Sequence, residues 1–425
     1  MKLSLFEEWQ RRGLVHQATE TGVAEALESP LVAYIGFDPT APSLHVGSLL
    51  PVMMLRRLQR AGHRPIAMVG GGTGMVGDPS FRDDERPLLD TETLSFNSRA
   101  LKRQLERFLD FSPGEAVLAD NAEWLDKLHL IGFLREVGKH FSVNAMIARE
   151  SVKRRLTTRE HGISYTEFSY SLLQAYDYVE LYDRYGCTLQ LGGSDQWGNI
   201  VTGADLVRRM RDAEVHGLTS PLITRADGKK FGKSEAGNVW LDAELTTPFE
   251  FYQYWINVPD DDAVPMLRYF TTLSLDEIDE LARAAAERPE ERLAQRRLAE
   301  LVTQRVHGAE ARRRAEHTTE ILFGGGDLAE LDAAEVEDAF RSSPATEVGR
   351  EELEGGLPLL DALVRTGLAP SKGRGRTDLA GGAITVNHRR ETDPHRRLTL
   401  ADAVGGRYVV LRRGKKTYHL LSVSR

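Results

Sequence analysis

Two short segments, about 185 residues apart, carry side chains suited to gripping phosphate. The first is His45-Val46-Gly47-Ser48, which follows Tyr34-Ile35-Gly36-Phe37-Asp38-Pro39-Thr40. The second is Asp227-Gly228-Lys229-Lys230-Phe231-Gly232-Lys233-Ser234. His45 and Thr40 stand beside an expected helix N-terminus, where unpaired backbone N–H groups and the helix dipole favour phosphate. A histidine there can donate to a phosphate oxygen as charge builds in a phosphorus-centred transition state. In the second segment Gly228 and Gly232 loosen the backbone around lysines that supply compact positive charge. A mobile lysine segment can close over a triphosphate during reaction and open afterwards. Each half alone has an ordinary reading, as a histidine capping a surface helix or as an exposed basic turn. Together they read as a two-sided clamp for a nucleoside triphosphate.

Elements must bring such halves together. Short apolar runs, Val32-Ala33-Tyr34-Ile35 and Ile66-Ala67-Met68-Val69, flank a helical stretch from Leu49 to Ala61. Strand, helix and strand in succession predict a parallel sheet with right-handed crossovers. Pro51 is tolerated in the first helical turn if Ser48 is the cap. Cys187-Thr188-Leu189-Gln190-Leu191 reads as another strand, stopped by Gly192-Gly193. From about Asp276 the chain becomes rich in Ala, Glu, Arg and Leu, which predicts helices. Gly324-Gly325-Gly326 breaks that region. The expected fold is α/β: a Rossmann-like parallel-sheet domain (1–247), then an all-helical domain (248–320). A linker with some helix (321–356) and a small α+β unit (357–425) follow.

A chain of 425 residues, 41% hydrophobic and 28% charged, suits two or three globular domains. The N-terminus turns acidic at Glu7-Glu8 before any apolar core develops, so no signal peptide is expected. No run of roughly 18 apolar residues predicts a membrane span. Cys187 is the one cysteine, which excludes internal disulfides and cysteine-built zinc sites and leaves it as a buried filler. A cytoplasmic protein is expected. From Asp361 to Arg425 there are 14 Lys/Arg against 5 Asp/Glu, a balance of +9. With a net charge of −8 for the chain, residues 1–360 carry −17. A basic tail on an acidic body suits nucleic acid, although a solvated basic surface has the same charge.

Five ordered blocks carry a resemblance. They are Tyr34–Thr40, Val69-Gly70-Gly71-Gly72-Thr73-Gly74-Met75-Val76-Gly77-Asp78-Pro79-Ser80, Tyr170-Ser171-Leu172-Leu173-Gln174-Ala175-Tyr176-Asp177, Gly192-Gly193-Ser194-Asp195-Gln196-Trp197-Gly198-Asn199 and the lysine segment. In this order they resemble the bacterial tyrosyl-tRNA synthetases of class I, from about residue 30 to 260. The tail, with Pro370-Ser371-Lys372-Gly373-Arg374-Gly375-Arg376 and Gly381-Gly382-Ala383-Ile384-Thr385-Val386-Asn387, resembles an S4-type RNA-binding domain. The S4 helix is glycine-rich here, a departure from the usual pattern.

The resemblance implies an activity: L-tyrosine and ATP give tyrosyl-adenylate and pyrophosphate, and the tyrosyl group passes to the tRNA for tyrosine. It implies roles residue by residue. Tyr34 and Asp177 bind the phenol, while Asp78, Tyr170 and Gln174 bind the ammonium, with Gln196 near the carboxylate. Gly36, Asp38, His45, Gly47, Gly193, Asp195 and Lys233 bind ATP. Thr40, His45, Lys230 and Lys233 hold the departing pyrophosphate. Magnesium accompanies the triphosphate, and no protein-borne metal is expected. Gly162-Ile163-Ser164-Tyr165-Thr166-Glu167-Phe168 resembles a homodimer interface. Two positions depart from the family: Ser48 stands where a second histidine is common, and Ile35 replaces a cysteine and cannot hydrogen-bond. Two rival readings are a tryptophanyl-tRNA synthetase and a non-catalytic RNA-binding protein on a synthetase scaffold.

Overall fold

The structure is a computed structural model. It describes residues 3–20, 22–80, 88–149, 152–153, 156, 162–224, 231–234, 237–414 and 417–424. The chain divides into two compact units, 1–242 with 258–298 and 243–257 with 299–425.

The first unit is built on a six-stranded sheet. Its strands are β1 (Gln17–Ala18), β2 (Val32–Phe37), β3 (Arg64–Val69), β4 (Val117–Asp120), β5 (Cys187–Gly193) and β6 (His216–Ser220). The spatial order is β1-β6-β5-β2-β3-β4, and all neighbours are parallel except β1 against β6. The burial of Ala33, Tyr34 and Ile35 and of Pro65 through Val69 reflects a sheet covered on both faces. From β2 the order runs one way to β3 and β4 and the other way to β5 and β6. The carboxyl ends of β2 and β5 therefore diverge at a switch point, where such sheets open a crevice. This is the parallel-sheet architecture expected for the first part of the chain.

The helix after β2 begins earlier than expected. It spans Val46–Arg60, and His45, rather than Ser48, is its cap. Pro51 consequently lies beyond the first turn, inside the helix. Lacking an N–H, it leaves the Gly47 carbonyl without its helical donor.

The helices of 248–320 do not form a separate body. Asp260–Phe270 and Leu275–Glu287 belong to the first unit, and Pro248–Ile256 and Ala309–Gly324 to the second. Arg57 and Arg12 explain part of this division. Their guanidiniums donate to the carbonyls of Arg268 and of Thr271 and Leu273, at the C-terminal end of helix Asp260–Phe270. That is the negative end of the helix dipole.

In the second unit, β9 (Ala345–Val348), β11 (Ile384–Val386), β12 (Arg389–Glu391), β14 (Tyr408–Arg413) and β15 (Thr417–Val423) form a sheet in the order β12-β11-β14-β15-β9, and β10 (Leu357–Pro358) pairs separately with β13 (Arg397–Leu398). Residues 321–356, expected as a linker, are part of this body. β9 pairs parallel with β15. Ile321, Leu328, Val336 and Phe340 pack on Tyr408, Val410 and Leu420. Val409, Leu411 and Leu421 point to the opposite face, against Leu359, Leu363 and Leu379. Tyr408-Val409-Val410-Leu411 is apolar on both faces of a strand, so both faces need covering. The segment before residue 357 supplies one cover.

The helix Tyr165–Tyr185 is capped by Ser164, whose hydroxyl accepts the Glu167 N–H at 3.2 Å. Replacing Ser164 by Ala should cost about 1 kcal/mol of stability, and by Gly only a few tenths. Thermal or denaturant unfolding of the two variants measures the difference.

Candidate active site

A cavity of about 490 Å³ opens at the carboxyl ends of β2 and β5. Thirteen residues singled out from sequence line it: Tyr34, Gly36, Asp38, Thr40, His45, Gly47, Asp78, Tyr170, Gln174, Asp177, Gly193, Asp195 and Gln196. Lys230 lies outside the described residues. Lys233 is placed only by its backbone, in the two-residue strand β7 (Lys233–Ser234), paired with β8 (Gly237–Asn238). The departing positions Ile35 and Ser48 line the same cavity.

Tyr170, Gln174 and Asp177 share one helix, spaced four and three residues apart, which puts them on one face. Asp177 is fully buried. Its carboxylate accepts Trp124 Nε1–H at 2.7 Å and Asn121 Nδ2–H at 3.0 Å. Burial nevertheless pushes its carboxyl up to about 7, against the lowering effect of those two bonds. Tyr34, also fully buried, lines the cavity with a hydroxyl that has no hydrogen-bond partner among the described residues. Burial and then the Asp177 charge push its phenol well up. A buried carboxylate and an unpaired hydroxyl in one pocket suit a ligand group that both donates and accepts, such as a phenol.

A second polar cluster follows. Tyr170 donates to Asp38 Oδ2 at 3.0 Å, and Thr73 Oγ1 to Asp38 Oδ1 at 3.0 Å. Gln196 Nε2 donates to Asp78 at 2.7 Å and Asp195 at 3.1 Å, and the Gln196 amide oxygen accepts from Gln174 at 3.3 Å. Asp38, Asp78, Asp177 and Asp195 thus face one cavity, and no lysine or arginine is among its described lining residues. Burial, with Asp78 beside it, raises Asp195. A cationic ligand group, such as an ammonium, relieves this accumulation of negative charge.

The other end of the cavity is the His45 turn. The Gly47 N–H donates to His45 Nδ1 at 3.0 Å, so Nε2 carries the imidazole proton. Burial lowers the imidazole's pKa, leaving a neutral donor at the start of a helix. Position 47 must be glycine, because a Cβ there would sit 2.6 Å from the His45 ring. The lysine segment reaches the same place. Gly232, with φ of 85°, lies where a Cβ would be 3.1 Å from Val46 Cγ2 and 3.4 Å from Gly47 N. The Val46 N–H donates to Val239 O at 2.9 Å, and the Val239 N–H to Gly232 O at 3.0 Å. The two distant motifs therefore adjoin.

The approach to His45 is braced from helix Thr91–Leu105. Asn97 Nδ2 donates to Pro39 O at 3.0 Å, Gln104 Oε1 accepts the Leu44 N–H at 2.8 Å, and Gln104 Nε2 donates to Ser43 at 2.9 Å. Sequence reasoning missed these residues, together with Asn121, Trp124, Asn199 and Gln190. Asn199 donates to Gln174 at 3.1 Å. Gln190 lines the cavity with a buried Oε1 that has no hydrogen-bond partner among the described residues. The available signal was position: Asp120-Asn121 stand at the carboxyl end of the parallel strand β4.

Asn121 also accepts the Gly72 N–H at 2.8 Å and donates to Thr73 Oγ1 at 2.9 Å. Asn121→Ala should cost about 2–4 kcal/mol, since several buried groups lose partners together. Asp177 is held above its ordinary value of 3.8, so the folded state binds its proton more tightly. The stability it contributes falls as pH rises from about 4 towards 7. Removing a donor to the carboxylate should enlarge that fall, making the variant's deficit greater at pH 8 than at pH 5. Denaturant unfolding at the two pH values tests this.

Comparison with known proteins agrees with the geometry. Residues 26–324 match the family model of tRNA synthetases class I (W and Y), and residues 335–421 that of the tyrosine--tRNA ligase SYY-like C-terminal domain. A tyrosine--tRNA ligase of Roseiflexus castenholzii is 52% identical over 98% of this chain and 99% of its own length. One of Geobacillus stearothermophilus is 51% identical over 99% of each. A C-terminally truncated mitochondrial tyrosyl-tRNA synthetase of Aspergillus nidulans superposes with a TM-score of 0.68 at 30% identity, over 76% of this chain and 95% of that one. The chain belongs to the class I tRNA synthetases, within the tyrosine--tRNA ligase family.

Proposed function

We propose that this protein activates L-tyrosine with ATP and transfers the tyrosyl group to the tRNA for tyrosine. The observation that carries the choice of amino acid is the buried Asp177 carboxylate beside the unpartnered Tyr34 hydroxyl. The substrate phenol donates to Asp177 and accepts from Tyr34. Phenylalanine leaves the Tyr34 hydroxyl unpaired and brings Asp177 no further donor, and an indole has no hydroxyl for them. This very family is the standard example of a hydroxyl-binding site rejecting the analogue that lacks the hydroxyl, and its discrimination of roughly 10⁵ is a known figure rather than one deduced from this geometry.

The remaining roles follow the chemistry of each group. Asp78, Tyr170 and Gln174 hold the ammonium, and Gln196 lies near the carboxylate. Gly36, Asp38, Gly193 and Asp195 contact the nucleoside. The tyrosine carboxylate oxygen attacks the α-phosphorus, the bond to the β-phosphate oxygen breaks, and pyrophosphate leaves. His45 Nε2–H, Thr40, the positive end of the helix dipole, Lys230 and Lys233 stabilise the charge that develops there. No side chain becomes covalently attached. The catalytic contribution is placement and electrostatics. Magnesium enters on the triphosphate oxygens; among the described residues no group of three or more His, Cys, Asp or Glu stands ready to hold it alone. The terminal ribose hydroxyl of the tRNA then attacks the tyrosyl carbonyl and releases AMP.

The basic stretch 361–425 supplies RNA contact. Arg374, Arg389 and Arg390 are exposed on it, and their association with phosphates weakens with salt. Among the described residues no helix is long and apolar enough to cross a membrane. A cytoplasmic location suits the reaction. A homodimer is supported by Leu130, Ile131, Val143 and Tyr165, which are large apolar side chains exposed by 70, 73, 58 and 74%.

Amino-acid-dependent exchange of labelled pyrophosphate into ATP tests the function. Exchange is expected with tyrosine and not with phenylalanine or tryptophan, and Asp177→Ala should lower it by at least about 100-fold. Exchange with tryptophan alone, or none, defeats the reading. Sedimentation at micromolar concentration should give twice the chain mass of 47.5 kDa. A monomer rejects the homodimer.

A further inference from the structure

We infer that Phe270 is a positioning residue for ATP: by stacking on Phe231 it holds the Phe231–Gly232 segment against the His45 turn. This rests on the activation reaction proposed above.

The two rings lie 5.6 Å apart with planes 13° from parallel. Phe231 lines the cavity and is partly exposed, while Phe270 is 2% exposed and ends its helix. Phe270 is not among the described residues lining the cavity; the neighbour through which it reaches the cavity is Phe231. The helix end at Phe270 is held by Arg57. Arg57 Nη2 donates to the carbonyls of Arg268, Tyr269 and Thr271 at 3.0, 3.1 and 2.8 Å. Arg57 belongs to the same helix, Val46–Arg60, that His45 caps.

The contacts therefore close a ring. It runs from His45 along the helix to Arg57, across to the Phe270 helix end, through the stacked rings to Phe231, and by Gly232 back to Gly47. A closed ring leaves the lysine-bearing backbone little freedom to drift from the imidazole. Burial keeps Phe270 well packed, so its ring offers a rigid surface for a segment otherwise loosened by Gly232. The ring is made without Tyr34, Asp177 or Gln174, the residues assigned to tyrosine. The expected consequence is selective for the nucleotide.

Phe270→Leu retains apolar bulk and removes the flat ring. In pyrophosphate exchange, kcat/KM for ATP should fall roughly 3- to 10-fold, the size expected for a lost aromatic pair, with KM for tyrosine unchanged. Phe270→Tyr should restore it. Phe231→Leu should reproduce the loss, and the double variant should be no worse than either single one, because both remove one contact. Should Phe270→Leu fail to fold, Phe231→Leu with its partly exposed side chain tests the same contact. Amide hydrogen exchange supplies a readout independent of activity: protection at Val239, which donates to Gly232 O, should drop in either variant. Equal shifts in KM for tyrosine and ATP, additive losses in the double variant, or unchanged Val239 protection overturn the inference. A wild-type protein without tyrosine-dependent exchange sinks the activation reading instead, and Val239 protection then decides this one alone.

Discussion

A fully buried carboxylate sets the terms for this site. Taking Asp177 out of water costs several kcal/mol unless donors surround it. Trp124 and Asn121 supply two donors, and the raised pKa shows that they compensate only in part. The Tyr34 hydroxyl stays unpaired nearby. The folded protein thus carries an unfinished polar arrangement that a phenol completes. Affinity and selectivity arise together, because the ligand that satisfies the pair is the one the pair can recognise.

The strand order makes that burial useful. β2 and β5 part at their carboxyl ends, so Tyr34, on β2, and Gly193, on β5, face one crevice. Four carboxylates and a helix N-terminus with a neutral histidine line it. The ammonium of an amino acid suits the carboxylates, and the anionic oxygens of a triphosphate suit the helix end. The cavity orients its substrates before any side chain moves.

Much of this was legible in the chain. The apolar runs at 32–35 and 66–69, separated by a helix, pointed to the parallel sheet because a strand buried on both faces needs continuous apolar residues. Tyr170, Gln174 and Asp177 came from the family resemblance, and the helix Tyr165–Tyr185 that puts them on one face was not among the expected elements. The clamp motifs were readable because the two halves occur together; each alone has an ordinary reading. The helix cap at His45 was misplaced onto Ser48, since serine is the commoner cap; here the imidazole accepts the Gly47 N–H. The stretch 321–356 looked like a linker because it is acidic and alanine-rich. Its apolar residues, Ile321, Leu328, Val336 and Phe340, are too widely spaced to announce the sheet they cover.

Residue types and their order establish which groups the protein possesses and several of the elements that carry them, since propensity and spacing act over a few residues. Folding adds that Gly232 meets Gly47, that Asn121 and Trp124 hold Asp177, and that Phe270 stacks on Phe231. Those contacts join residues far apart along the chain, and no local pattern encodes such pairings. They exist because burying apolar and polar surface together admits few packings, and this one places those side chains side by side.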